Sequence, residues 1–310
     1  MSAQAPRPTN LLEAIRYFSD VDVCTEFVAG LRWPDGPTCP RCGSHKYSYL
    51  TTRRVWKCKA CKKQYSVKVG TIFEESKLGL DKWLPAVWLI ANSKNGISSH
   101  ELARALGITQ KSAWFMLHRI RLAMQTKTFL RLSGEVEVDE TYIGGKARNM
   151  HKTVRVRKGI TAGRPKHQTP VLGMIERGGR VKAEVVPDAK AKTLRPRVKD
   201  SVADGATVYT DALASYNGLG IRFSHRTIDH AERYVDGRVH TNGIENFWSL
   251  VKRGLHGTYV SVEPYHLFRY LDERVFTFNQ RGLGDYGRFE AVIRAIGGRR
   301  LTYAEVTGQR

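Results

Sequence analysis

Cys39-Pro40-Arg41-Cys42 is followed, after fifteen intervening residues, by Cys58-Lys59-Ala60-Cys61, a C-x2-C-x15-C-x2-C pattern. Each C-x-x-C makes a tight knuckle that aims two thiolates at one ion, and two knuckles close a tetrahedral site with no open position. Cys39, Cys42, Cys58 and Cys61 therefore read as the ligands of one structural Zn²⁺. Two disulfides would need an oxidising compartment, and the first thirty residues contain no apolar signal core. Tyr47, Tyr49, Trp56 and Tyr65 fall between and around the knuckles, as in the short strands of a zinc ribbon. Arg53, Arg54, Lys57, Lys59, Lys62 and Lys63 lie among them with no acid from Arg53 to Lys63, which favours phosphate contact over a merely solvated surface. Cys24 stands apart in a helical segment and reads as an ordinary buried thiol.

The charge of the whole chain points the same way. Its 310 residues carry 51 Lys and Arg against 29 Asp and Glu, a net +22. An apolar fraction of 41% with 10% aromatics excludes a disordered chain. A folded protein this basic has polyphosphate as its usual partner. No stretch reads as a basic amphipathic surface helix, so an anionic membrane is the weaker partner. The longest apolar stretch, Trp83 to Ala91, is too short to cross a bilayer, and a soluble cytoplasmic chain is expected.

Downstream of the ribbon the period becomes helical. Residues 10–33 already suggest one or two short helices. From Leu80 to Met124, Trp83, Leu84, Val87, Trp88 and Ala91 share one helix face. Ser98 with Glu101 forms a capping box for a second helix, and Gly107 is placed to stop it. Thr109 caps a third helix carrying Ala113, Trp114, Leu117 and Ile120 inward. Helix, Gly-containing turn, helix is the layout of a helix-turn-helix, whose exposed start at Gln110 and Lys111 would supply base-edge contacts.

The second half changes pattern again. Glu135 to Ile143 alternates as a strand and ends at Gly144-Gly145. A loop with eight cations and no acid follows, from Lys146 to Lys166, in which Arg155, Arg157 and Lys158 suit a phosphate backbone. Val171–Ile175 and Val181–Val186 flank turn residues and read as a hairpin. A helix is expected near Leu194–Val202, a strand at Val208–Thr210, and helices near 242–255 and 264–279. Strand, hairpin, helix, strand, helix is the order of an RNase H-like α/β fold, a mixed sheet with flanking helices. In so basic a chain three carboxylates stand out. Asp139 lies near the end of the first strand, Asp211 at the end of a later one, and Glu245 in the first turn of a helix. Carboxylates converging from different elements are what a pair of Mg²⁺ ions roughly 3.5–4 Å apart requires. Other roles stay open: Glu137 or Glu140 could replace Asp139, Asp211 could close a turn, and Glu245 could be an incidental residue of a helix cap. Lys252, seven residues after Glu245, shares its helix face and could hold a DNA strand.

Val138-Asp139-Glu140-Thr141-Tyr142-Ile143-Gly144-Gly145, then Tyr209-Thr210-Asp211, then the run His240 to Gly254 (containing Asn242-Gly243-Ile244-Glu245-Asn246-Phe247-Trp248 and Lys252-Arg253) carry a resemblance. With Gly257-Thr258-Tyr259 and the Cys₄ ribbon, they resemble bacterial insertion-sequence DDE transposases with an N-terminal zinc ribbon, the ISXO2-like family, from about residue 20 to 281. The resemblance implies an RNase H-like catalytic domain dependent on two Mg²⁺ or Mn²⁺ ions, with Asp139, Asp211 and Glu245 as the metal-binding triad. Lys252 would be the DNA-contacting basic residue, with Arg253 beside it. It further implies binding to terminal inverted repeats and target DNA, a nucleoid-associated bacterial protein, and a homodimer or higher assembly on DNA.

The expected divisions are an N-terminal helical segment (1–36), the Cys₄ ribbon (37–72), an all-α helix-turn-helix region (78–128), the catalytic domain (131–281) and a basic tail (282–310) with one short helix at most. The expected activity is metal-dependent 3′-end cleavage followed by strand transfer. The alternatives are a nuclease that cuts without joining, and a zinc-ribbon DNA-binding regulator whose RNase H-like domain is inactive.

Overall fold

The computed structural model describes residues 7–125, 130–145, 150–157, 159, 168–228 and 240–308. They form two compact units, Met1–Gln125 with Gln280–Arg310, and Thr126–Asn279. The first opens with α1 (Leu11–Tyr17) and α2 (Val21–Arg32), whose N-termini are capped by the side chains of Asn10 and Asp20. A three-stranded antiparallel sheet follows, β1 (Tyr47–Leu50), β2 (Val55–Cys58) and β3 (Gln64–Tyr65). Behind it the Trp33 ring meets Trp56 at 5.1 Å and Tyr65 at 5.9 Å, both edge-on. Two of the aromatics interleaved with the ribbon's cations, Trp56 and Tyr65, are thus its core.

Next come α3 (Leu80–Asn92), then α4 (Ser99–Leu106) and α5 (Gln110–Met124), which start after the expected caps Ser98 and Thr109. Ser98 Oγ accepts the Glu101 N–H at 3.2 Å, Gly107 closes α4 at φ 63°, and Thr109 Oγ1 accepts the Ser112 N–H at 3.2 Å. Trp114 is only half-buried, and Met116 joins Leu117 and Ile120 in the core instead. Helix α3 also departs from the one-sided reading: from Leu80 to Ala91 only Asp81, Lys82 and Leu89 escape full burial.

The second unit contains β4 (Glu135–Ile143), α6 (Lys152–Arg157), β5 (Thr169–Glu176), β6 (Val181–Val185), α7 (Ala191–Ser201), β7 (Thr207–Asp211), β8 (Ser224–Ile228), α8 (Asn242–Gly257) and α9 (Leu267–Asn279). Its strands make one mixed sheet in the order β6-β5-β4-β7-β8. The β4–β5 and β5–β6 pairs are antiparallel, and the β4–β7 and β7–β8 pairs parallel. Strand alternation sends Val136, Val138, Leu172, Met174 and Val208 into a core with Leu194 and Val198 of α7. On the other face Val171, Ile175 and Val181 pack with Ile244, Phe247, Trp248 and Val251 of α8 and with Leu271 of α9. The result is an α/β sheet covered by helices on both faces.

Two expectations are corrected here. Part of the basic loop is helical, because His151–Arg157 has neither Gly nor Pro and Arg155 N–H reaches the His151 carbonyl at 3.0 Å. Arg155 and Arg157 therefore sit on α6, while Lys158, like Lys146, Arg148, Arg164 and Lys166, lies outside the described residues. Strand β8 was not foreseen, since its burial falls mainly on Ile228 and the other residues are polar.

The segment from 282 onward, expected as a tail, instead folds into α10 (Asp285–Arg294) and α11 (Tyr303–Thr307) and completes the first unit. Phe289, Val292 and Ile293 of α10 are buried, and the Phe289 ring lies 5.3 Å from both Trp88 and Phe18. This cover is why α3 is buried nearly all round. No described helix is long and apolar enough to cross a membrane.

Candidate active site and metal centre

Cys39, Cys42, Cys58 and Cys61 gather their Sγ atoms within 4.8 Å of one another, the one such group of potential metal ligands among the described residues. Cys39 and Cys61 sulfurs are 3.7 Å apart, and those of Cys42 and Cys58 3.6 Å. Disulfide sulfurs would sit at about 2.05 Å. Four ligands at the Zn–S length of about 2.3 Å in a tetrahedron lie roughly 3.8 Å apart, so the four cysteines fit one zinc ion. The Cys61 amide N–H, which reaches the sulfur at 3.5 Å, outweighs burial and draws the Cys58 thiol down to about 6. Against the Ser44 amide, burial and the other thiols hold Cys42 up at about 11. Amide N–H groups at the knuckles likewise draw the Cys39 thiol down against burial, and thiolates are the form that a metal ion binds. Cys24 is separate, donates to the Phe18 carbonyl at 3.2 Å, and is pushed by burial up to about 12.

In the second unit the acids collect at the sheet centre. The parallel β4–β7 ladder ends at Glu137 and Tyr209, and two residues farther along each strand stand Asp139 and Asp211. By alternation both belong to the sheet face covered by α8 and α9. Asp211 closes β7, whereas Asp139, expected near a strand end, lies midway along β4, just past the point where its parallel pairing with β7 stops. Burial pushes the Asp139 carboxyl up to about 7, helped by the charges of Glu140 and Asp211. Glu140 points to the opposite face, where the Tyr216 hydroxyl donates to it at 2.7 Å, and burial raises it too.

Helix α8 is seated on this face by Glu137. That carboxylate, 1% exposed, accepts the Ile244 N–H at 3.0 Å and the Arg177 Nε–H at 2.9 Å. A carboxylate under the first turn also suits the helix dipole. A Cβ at Gly243 would come within 2.8 Å of Glu137 Oε2, so only glycine lets the helix sit this close. Glu137 is engaged in holding α8, which separates it from Asp139. Glu245 is exposed in the first turn of α8, with the Thr241 hydroxyl donating to it at 3.0 Å. Ser249, Lys252 and Arg253 are exposed on the same helix. The structure brings Asp139 and Asp211 together and sets Glu245 on the neighbouring helix, but the three carboxylates do not converge within 4.8 Å.

One helical turn after Glu245, the Trp248 Nε1–H donates to Asp139 Oδ2 at 3.0 Å. Gly173 pairs with Asp139 across β4–β5, and a Cβ there would stand 2.3 Å from the Trp248 ring. Gly173 therefore makes the room in which Trp248 reaches the carboxylate. Gly173, Trp248 and Tyr216 were missed as site neighbours, while Glu140, weighed as a substitute for Asp139, turns out to face the other side of the sheet. A glycine inside an apolar strand was the one available signal, marking a close approach. Gly173→Ala is expected to destabilise the protein by about 3 kcal/mol through overpacking and to move Trp248, read as a lower melting temperature with altered tryptophan fluorescence.

The residues expected to meet DNA lie mostly at the surface. Arg53, Arg54, Lys57, Gln110, Lys111 and Arg157 are exposed and Arg155 is half-exposed. Some already have partners: Arg54 forms a two-pronged pair with Asp22 of α2 at 2.6 and 2.9 Å, and Gln110 donates to Ser99 Oγ at 2.8 Å.

Residues 131–279 match the ISXO2-like transposase domain and residues 19–64 the transposase zinc-ribbon domain. An uncharacterized protein in transposable element ISH50 of Halobacterium salinarum is 30% identical over 255 residues, covering 78% of this chain and 85% of that protein. An uncharacterized transposase-like protein of Haemophilus influenzae is 35% identical over 96 residues, 31% of this chain and 77% of its own length. The four clustered cysteines fall within one matched region and the carboxylates at the sheet centre within the other, and on this footing the chain belongs to the ISXO2-like transposase family.

Proposed function

We propose that this transposase is a DDE enzyme that binds the terminal inverted repeats of an insertion sequence, cuts at the 3′ ends and joins them to target DNA. The observation that carries the reading is the buried Asp139 carboxyl, pushed up to about 7 beside Asp211 and Glu140. Like charges held together where the parallel β4–β7 pairing stops leave a negative potential that a divalent cation would relieve. The sheet order, with the acid-bearing strand between an antiparallel hairpin and two parallel strands, supports an RNase H-like domain.

Carboxylate oxygens from Asp139, Asp211 and Glu245 suit Mg²⁺ or Mn²⁺, and these residues would hold two such ions. Divalent ions held there would supply Lewis-acid activation of the attacking water or 3′-hydroxyl and would stabilise the charge on the leaving oxygen. The Trp248 Nε1–H bond fixes the orientation of the Asp139 carboxyl. Lys252, with Arg253 beside it, lies on the exposed side of α8 and would hold the strand being cut. Arg53 and Lys57 of the ribbon and Gln110 and Lys111 of α5, in a helix-turn-helix, would contact the repeat. Arg155 and Arg157 would grip flanking or target backbone. Arg54 would join them by exchanging Asp22 for phosphate, since an ion pair this exposed to water is weak. Synapsis of two ends calls for a homodimer or larger assembly on DNA.

The test is a labelled duplex carrying the element's terminal repeat, incubated with the protein and Mg²⁺, Mn²⁺ or EDTA. Metal-dependent nicking at the 3′ end followed by joined products is the expected result. Nicking without joining would leave a nuclease, and specific binding without cleavage in any metal would leave a DNA-binding regulator.

A further inference from the structure

The C-terminal segment lies outside both matched regions, yet it runs along α5. Arg299 donates to the carbonyls of Leu122 and Gln125 at the C-terminal end of that helix, at 3.0 Å for Gln125. Four residues later the Tyr303 ring reaches the other end. It packs edge-on against Phe115 at 5.6 Å, and the Lys111 Nζ lies 4.7 Å from its centre. Lys111 is exposed in the first turn of α5, a turn with no acid. A cation there opposes the helix dipole, so the helix gains nothing structural from it. The π face of Tyr303 compensates the charge and fixes its direction.

Tyr303 also borders a cleft of about 390 Å³, together with Ser112, the neighbour of Lys111, and with Phe115 and Arg119. Arg119 is 3% exposed, and its Nε has no hydrogen-bond partner. Glu74 and Glu75 also line the cleft, and both face Arg300, at 3.9 and 2.7 Å. We infer that the first turn of α5 and residues 299–303 form one nucleic-acid surface, in which Tyr303 aims Lys111 at the phosphodiester backbone of double-stranded DNA beside this cleft. Arg299 anchors the segment that carries the ring. The inference rests on the reading of α5 as a DNA-contacting helix, and it makes the C-terminus a working part of the reader.

A double-mutant cycle on the full chain tests it, using fluorescence anisotropy with a labelled terminal-repeat duplex at several salt concentrations and melting temperature as the folding control. Lys111→Gln should weaken binding and lower the salt slope by about one. Tyr303→Leu should weaken binding about threefold in the unmodified background, and not at all when Lys111 is already Gln. Tyr303→Phe, which keeps the ring, should bind as the unmodified protein does. Equal losses from Tyr303→Leu in both backgrounds, or no loss in either, would overturn the inference while leaving DNA binding intact. Failure of the unmodified chain to bind any duplex would overturn both readings.

Discussion

Asp211→Asn is expected to abolish strand cleavage while leaving the protein folded. The substitution keeps the shape of the side chain, which lies partly exposed at the end of β7 and accepts the Leu213 N–H at 3.2 Å. It removes a negative charge from the place where the proposed mechanism needs a cation. Losing several kcal/mol of charge stabilisation lowers a rate about a thousandfold, which the nicking assay would read directly. A second readout needs no catalysis. Asp139 is raised from 3.8 to about 7 chiefly by burial, then by Glu140 and Asp211. The folded state therefore holds a proton that the unfolded chain releases. Its stabilising contribution is full below about pH 4 and is lost as pH rises through about 7. With Asn at position 211 one repulsive charge is gone and Asp139 should titrate lower. Without divalent metal, the melting temperature of the unmodified protein should thus fall more steeply between pH 5 and 8 than that of the variant. Equal slopes would show that the two carboxylates do not interact.

Removal of zinc should unfold the ribbon. Its three strands have four, four and two residues, too few to stand without support. The apolar support is small, chiefly Trp56, Tyr65 and Val67. Structural zinc contributes about 10–16 kcal/mol in small zinc-dependent domains, far more than that cluster supplies. Chelation, or Cys58→Ser, is expected to release the Trp33–Trp56–Tyr65 packing, seen as a red-shifted tryptophan emission and lost near-ultraviolet dichroism. Stoichiometric zinc should restore the chelated protein. A chelated chain with unchanged spectra would mean that the knuckles are held by the protein alone.

The sequence was most legible where local chemistry decides structure. Ser98, Gly107 and Thr109 bound their helices through hydrogen bonds or backbone angles that depend on the residue itself. The two C-x-x-C knuckles likewise close over a few bonds. The order of strands around Asp139 and Asp211 was readable because alternation and turn residues are local as well. What escaped notice depends on distant partners. The clearance at Gly173 has meaning only once Trp248 arrives from another element. Glu137 could not be told from Asp139 on the strand, because what separates them is the N-terminus of α8. The cover over α3 comes from Phe289, some two hundred residues away in a Gly- and Arg-rich segment whose apolar spacing was diluted.

That distant cover has a consequence for how the protein is made. The first unit starts near the N-terminus but is finished by α10, and Thr126–Asn279 must be synthesised in between. At about 5–20 residues per second, translation takes roughly ten to thirty seconds to cross that interval. During it Phe18 and Trp88 wait for Phe289, whereas the sheet unit is contiguous and can close as soon as it emerges. A chain broken off after Asn279 would hold Asp139, Asp211 and Glu245 in a complete sheet unit, but its first unit would lack α10 and the apolar flank of α3 would be bare. Exposed apolar surface of that kind favours aggregation and proteolysis, so an interrupted ribosome would release the sheet only together with an unfinished first unit.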